Sequence, residues 1–111
     1  MVEEADHHLP LSSSNLYILL ALAGEERHGY GIMQEVVRES GGRYKLGPGT
    51  LYDNLQKLVA SNLVELSGRQ DFEDPRRRYY RLTKFGKDVL AAEIQRLESI
   101  VHSARLRLET A

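Results

Sequence analysis

Gly47-Pro48-Gly49-Thr50-Leu51-Tyr52-Asp53-Asn54-Leu55-Gln56-Lys57-Leu58 is the stretch whose reading decides the fold. Pro48 stands where a first helical residue belongs, because its missing N–H is unneeded there and its φ is already helical. Leu51, Leu55 and Leu58 recur at four and three residues and make one apolar stripe. The opposite side carries Thr50, Asp53, Asn54 and Lys57, with Tyr52 near the edge. These side chains are polar and long enough to reach base edges and phosphates. Gly49 adds a place where backbone can approach a phosphate closely. The helix start offers unpaired N–H groups and the positive end of a dipole.

Upstream, Ser12 or Ser13 caps a helix expected to run to about Ala23, with Leu16, Leu19, Leu20 and Ala23 as its core stripe. Gly24 ends it, and Glu25-Glu26-Arg27 is a turn. A second helix is expected from Tyr30 to about Ser40, stopped by Gly41-Gly42. Arg43 to Leu46 alternates and reads as a short strand. Downstream of the quoted helix, Asn62 suits a left-handed turn. Leu63–Ser67 and Arg77–Leu82 then read as two strands of a hairpin around a polar loop. Thr83 caps a last helix running almost to the C-terminus. Residues 1–11, acidic and carrying Pro10, are expected to be a mobile arm. His7-His8 within it lack the ligand spacing of a metal site.

The expected class is mainly α with a small β-hairpin. A helix, a tight turn, a second helix and a basic hairpin follow one another in the order of a winged helix-turn-helix over residues 12–82, with a dimerisation helix over 83–111. In such folds the second helix of the motif lies in the major groove. The charge distribution agrees. The chain has a net charge of −1 overall. Residues 1–42 carry seven acidic and two basic groups, a net of −5. Residues 67–87 carry seven basic and three acidic groups, a net of +4. Arg76, Arg77 and Arg78 concentrate that charge just after the hairpin loop, where a wing meets DNA.

Three segments together resemble those of PadR-type transcriptional regulators. They are His28-Gly29-Tyr30, Gly47-Pro48-Gly49-Thr50-Leu51-Tyr52 with Leu55 and Leu58, and Arg77-Arg78-Tyr79-Tyr80-Arg81-Leu82-Thr83 with Gly86. Order and spacing match over residues 12 to about 108. The resemblance implies a winged-helix homodimer of the short C-terminal subgroup that represses transcription from a palindromic double-stranded DNA operator. It also implies release by a small molecule, for which an aromatic or hydrophobic effector is the expected class. By analogy Tyr30, Thr50, Tyr52 and Lys57 fall in the DNA-facing region, and Arg76, Arg77 and Arg78 in the wing; Pro48, Gly49 and Asn54 join the DNA-binding candidates from their places on the same helix. Two departures stand out. Asp71-Phe72-Glu73-Asp74 in the wing loop repels phosphate if it points at DNA, and there is no tryptophan to stack an effector.

The last helix makes an independent case for a dimer. Leu90, Ile94, Leu97, Val101, Ala104 and Leu108 are spaced 4, 3, 4, 3, 4 and form a seam with a seven-residue period. A helix of about 25 residues is ~38 Å long, more than a small domain needs for its own core. No acid–base pair, nucleophile–base pair or phosphate loop stands out, so neither an enzyme nor a cofactor is expected. The longest apolar run, Leu16 to Ala23, is too short to span a bilayer, and a cytoplasmic protein is expected. The alternative from another class is a winged-helix module that binds a ligand or protein and no DNA, since fold alone does not settle function.

Overall fold

The computed structural model describes residues 2–110. Eight elements follow one another: α1 (Val2–Asp6), α2 (Ser13–Leu22), β1 (Arg27–His28), α3 (Gly29–Glu39), α4 (Pro48–Ala60), β2 (Val64–Leu66), β3 (Tyr79–Leu82) and α5 (Lys84–Thr110). Helices α2, α3 and α4 pack around Ile18, Leu19, Ile32, Val36, Leu51 and Leu55, all essentially inaccessible to water. The helix boundaries follow local chemistry. Ser12 caps α2 by accepting from the Asn15 N–H at 3.1 Å. Gly41, at φ 62°, lets the chain leave α3 in the left-handed region. Asn62 does the same after α4 at φ 64°.

The sheet has strand order β1-β3-β2, all antiparallel. Val64 pairs with Leu82 and Leu66 with Tyr80, while β1 adds Arg27 opposite Tyr80 and His28 opposite Tyr79. Glu65 and Arg81 face each other across β2 and β3 with a 2.8 Å hydrogen bond. Arg27 also closes the end of α2, its Nε donating to the Ala21 carbonyl at 2.7 Å. Thr83 joins hairpin to last helix. Its hydroxyl donates to the Asn62 carbonyl at 2.6 Å and accepts from the Gly86 N–H at 2.8 Å. Gly86 then lies against the Leu63 carbonyl so closely that a Cβ would collide with backbone.

Several expectations need correction. The segment read as a mobile arm contains α1, packed on α5, with Ala5 buried. Its anchor is the Glu93 carboxylate, only 1% exposed, which accepts from the Leu11 N–H at 2.9 Å. The strand expected at Arg43–Leu46 is absent. The Tyr44 N–H is satisfied by the Ser40 hydroxyl at 2.9 Å instead of a neighbouring strand, and the Tyr44 ring stacks on Tyr17 at 4.8 Å. The third strand forms at Arg27–His28, with Arg27 expected in a turn and His28 in the lead into the second helix. The buried face of α2 is Ile18, Leu19, Ala21 and Leu22; of the expected Leu16, Leu19, Leu20 and Ala23 stripe, Leu19 is buried and Leu16 packs half-buried against the core, while Leu20 and Ala23 are exposed. A nearly all-apolar helix carries no periodic signal to say which face is inward. Strand β3 begins at Tyr79 and not Arg77, because the Arg77 N–H turns back to the Asp74 carbonyl at 3.0 Å.

Helix α5 leaves the core after its first half. Val89, Leu90 and Glu93 are buried, whereas every residue from Glu98 to Glu109 is exposed. Leu90, expected in the dimer seam, therefore belongs to the protomer's own core. The projecting half accounts for a radius of gyration of 15.6 Å, against about 13 Å for a compact chain of this length. No helix among the described residues is long and apolar enough to cross a membrane.

Candidate nucleic-acid interface

Helix α4 buries Leu51, Leu55 and Leu58 and turns its other sides to solvent. Gly47, Pro48, Gly49 and Thr50 are all exposed, and Gly47 provides no side-chain cap. The first N–H groups of α4 are thus left to water or to a ligand. Tyr52, Asp53, Gln56 and Lys57 are exposed, while Asn54 is half-buried on the flank of the core stripe. Gln56, not singled out from the sequence, lies between Tyr52 and Lys57 on this surface. The Lys57 ammonium pairs with Asp53 at 3.3 Å, and both are exposed. An exposed i,i+4 pair is weak and yields readily to a phosphate.

The start of α3 meets α4 and the hairpin at a cleft of about 320 Å³. It is lined by His28, Gly29, Tyr30, Tyr52, Asp74, Arg76, Arg77, Arg78 and Tyr80. The structure therefore brings five of the sequence-derived residues together: Tyr30, Tyr52 and the three arginines. Pro48, Gly49, Thr50 and Lys57 lie outside that cleft on α4. Tyr30 is 56% exposed and stands parallel to His28 at 6.5 Å between ring centres. His28 caps α3 through Nδ1, which accepts from the Gly31 N–H at 3.0 Å. Burial holds the His28 pKa below its ordinary 6.5, helped by Arg77 and opposed by Asp71. Tyr80 is half-buried, and burial raises its hydroxyl pKa.

The wing loop resolves the problem its acids posed. The Asp71 carboxylate accepts from the N–H groups of Glu73 at 2.9 Å and Asp74 at 3.2 Å. It also accepts from Arg77 and the Tyr79 hydroxyl, each at 3.3 Å. Burial works to raise the Asp71 pKa, but these donors together hold it below the usual carboxylate range. Asp74 pairs with Arg76 at 3.5 Å and Arg77 at 3.9 Å. Two of the three acids are thus internal props of the loop. Arg69 lies over the Tyr79 ring at 4.5 Å. Arg78 is exposed, and no ion pair is seen for it among the described residues.

On α5, Ile94, Val101 and Leu108 are exposed, Leu97 is half-buried and Ala104 is exposed. Ile94, Leu97, Glu98, Val101, His102 and Arg105 line a shallow groove of about 440 Å³.

This arrangement has close counterparts among known proteins. Residues 18–92 match the transcriptional regulator PadR-like family. A curated transcriptional regulator of Mycobacterium tuberculosis is 35% identical over 85 residues, spanning 77% of this chain and 76% of that protein. A PadR family transcription regulator from Clostridium difficile R20291 superposes with a TM-score of 0.72 at 30% identity, over 87% of this chain and 99% of that one. RosR of H. salinarum superposes with a TM-score of 0.64 at 32% identity, over 93% of this chain and 91% of that one. With a family match across most of its length and a fold shared with these regulators, the chain belongs to the PadR-like family of transcriptional regulators.

Proposed function

We propose that the chain is a homodimeric repressor that binds a palindromic operator, reading bases with the start of α4 and holding the backbone with its wing. Membership in the family makes it a DNA-binding transcription regulator and not an enzyme. The observation that carries the finer reading is the cleft in which Tyr30 and Tyr52 meet Arg76, Arg77 and Arg78, beside the exposed start of α4. Thr50 and Tyr52 donate hydroxyl hydrogen bonds to base edges, and Gly49 brings backbone N–H to phosphate. Lys57 leaves Asp53 for a phosphate, and Arg78 takes another.

Two copies are needed because half of α5 has no cover within the protomer. Ile94, Leu97, Val101, Ala104 and Leu108 supply the seam, and two-fold symmetry of the protein accounts for a palindromic site. The partly exposed residues Leu16, Tyr17 and Leu20 of α2 widen the apolar surface beside it. A small aromatic or hydrophobic effector entering between α2 and α5 of two subunits would shift their spacing and release the operator. Its test is calorimetry of the dimer with flat aromatic compounds, where no heat for any of them counts against it. The protein acts in the cytoplasm, on the operator itself. The test of the DNA reading is selection of a duplex from a randomised pool. Enrichment of a palindrome supports it, and no enriched sequence overturns it.

A further inference from the structure

Phe72 at the tip of the wing has no role in that account. It is 94% exposed, more than any other large apolar side chain among the described residues. A single exposed apolar side chain is ordinary on a protein surface; what sets this one apart is the tied loop that carries it and the arginines around it. The loop beneath it is well tied. Asp71 gathers the N–H groups of Glu73 and Asp74, the Arg77 guanidinium and the Tyr79 hydroxyl, and Asp74 pairs with Arg76 and Arg77. With those two acids turned into the loop, the ring between them stands outward on a preformed tip.

Its surroundings point to a ligand. Phe72 shares a hollow of about 400 Å³ with Arg69, Arg77 and Arg78. Arg77 and Arg78 also line the cleft that holds Tyr30 and Tyr52. The ring is therefore continuous, through two arginines, with the surface assigned above to DNA. An apolar tip edged by guanidinium groups matches the minor groove. There arginines follow the negative potential, and apolar side chains enter between base steps and kink the duplex by roughly 20–90°.

We propose that Phe72 is an apolar wedge that enters the minor groove beside the bases read by α4 and unstacks one base step in each half-site. This rests on the DNA-binding reading above. Unstacking is cheapest at pyrimidine–purine steps, so the operator carries TA or CA/TG at a fixed distance from the bases under α4. Glu73 is exposed beside the ring and opposes the approach of phosphate.

The test uses the full chain and a short duplex that it selects from a randomised pool. The duplex carries a fluorophore pair at its ends, with 2-aminopurine placed in turn at each step of the half-site. The wild type is expected to shorten the end-to-end distance and brighten 2-aminopurine at one step. Phe72→Ala is expected to lose that signal and most of the bend, and to bind about tenfold more weakly. Its salt slope stays the same because no phosphate contact is lost. Its melting temperature stays the same because the ring is exposed in the free protein. Phe72→Leu keeps most of the bend, and Glu73→Gln binds more tightly. A Phe72→Ala protein that bends and brightens the duplex like the wild type overturns the wedge, leaves the DNA reading standing and moves Phe72 to a protein-docking role. A pool that yields no enriched duplex overturns both.

Discussion

The Tyr52 ring occupies the space above Gly29. A Cβ built at residue 29 would fall 2.6 Å from the Tyr52 Cζ and closer still to its hydroxyl. The Tyr52 ring can therefore lie against the first turn of α3 only because Gly29 has no side chain. Gly29→Ala is expected to cost about 1 kcal/mol or less, because what must yield is the half-exposed end of the Tyr52 side chain and not backbone. It should also displace Tyr52 and weaken DNA binding. Tyr52→Ala in the same chain should recover much of the lost stability, and a double-mutant cycle by thermal melting reads the coupling. Additive losses would contradict the contact.

Gly86 and Gly49 separate folding from binding. A Cβ at Gly86 meets the Leu63 carbonyl, whereas nothing lies within 4 Å of one at Gly49. Gly86→Ala should lower the melting temperature sharply, because backbone cannot yield as a flexible side chain does. Gly49→Ala should leave the melt unchanged or raise it, given the helix propensity of alanine. It should still weaken DNA binding by crowding the phosphate approach. Melting curves and anisotropy titrations on both variants check the contrast.

Protonation of His28 breaks the cap on α3, because Nδ1 must accept from the Gly31 N–H. Its folded pKa lies below the ordinary 6.5. Its stabilising contribution is therefore complete above pH 6.5 and is lost as pH falls through that value towards the lower folded pKa. His28→Asn keeps a capping acceptor without a titration in this range. The wild type should lose stability between pH 7.5 and 5.5 relative to His28→Asn, and equal slopes would exclude the cap as the source.

Glu93 acts further into acid. Its pKa is held down chiefly by the Arg96 hydrogen bond, with the Leu11 N–H adding to it and burial opposing. Its contribution is present above the ordinary carboxylate value and is lost as pH falls through the folded one. Glu93→Ala leaves the Leu11 N–H without its acceptor, which costs about 1–3 kcal/mol. Proteolysis between residues 6 and 12 should become faster in that variant, and an unchanged rate would show that the anchor does not hold α1.

Leu90 and Leu97 should part company. Leu90 is buried within the protomer and Leu97 is half-exposed on the projecting half of α5. Leu90→Asp is expected to unfold the chain. Leu97→Asp is expected to give a folded monomer that binds DNA poorly. Sedimentation and circular dichroism on the pair decide it, and a dimeric Leu97→Asp protein refutes the seam.

The legible parts of the fold were those where one residue type has one physical use. Pro48 started α4, Ser12 capped α2 and Thr83 tied α5, each through its own hydrogen-bonding limits. The illegible parts depended on tertiary partners. Arg27–His28 is a strand only because Tyr79 and Tyr80 lie beside it. The N–H of Leu11, at the end of the segment read as an arm, is held by a carboxylate 82 positions away. The heptad seam was visible as a period, but a period cannot say that Leu90 packs inward while Ile94 does not. At the candidate interface, residue types suggested Tyr30, Thr50, Tyr52 and Lys57. Gln56 and Phe72 became candidates only once their exposure and neighbours were in view.

The measurement that bears most directly on the central claim is anisotropy of the selected duplex over a salt series, with the wild type, Lys57→Ala and Arg78→Ala. Tight wild-type binding that falls steeply with salt is expected. In each variant the log–log slope should be shallower by about 0.9 for every phosphate contact removed. Wild-type binding with a flat salt response, or variants with unchanged slope and affinity, would contradict the assignment of this surface to DNA.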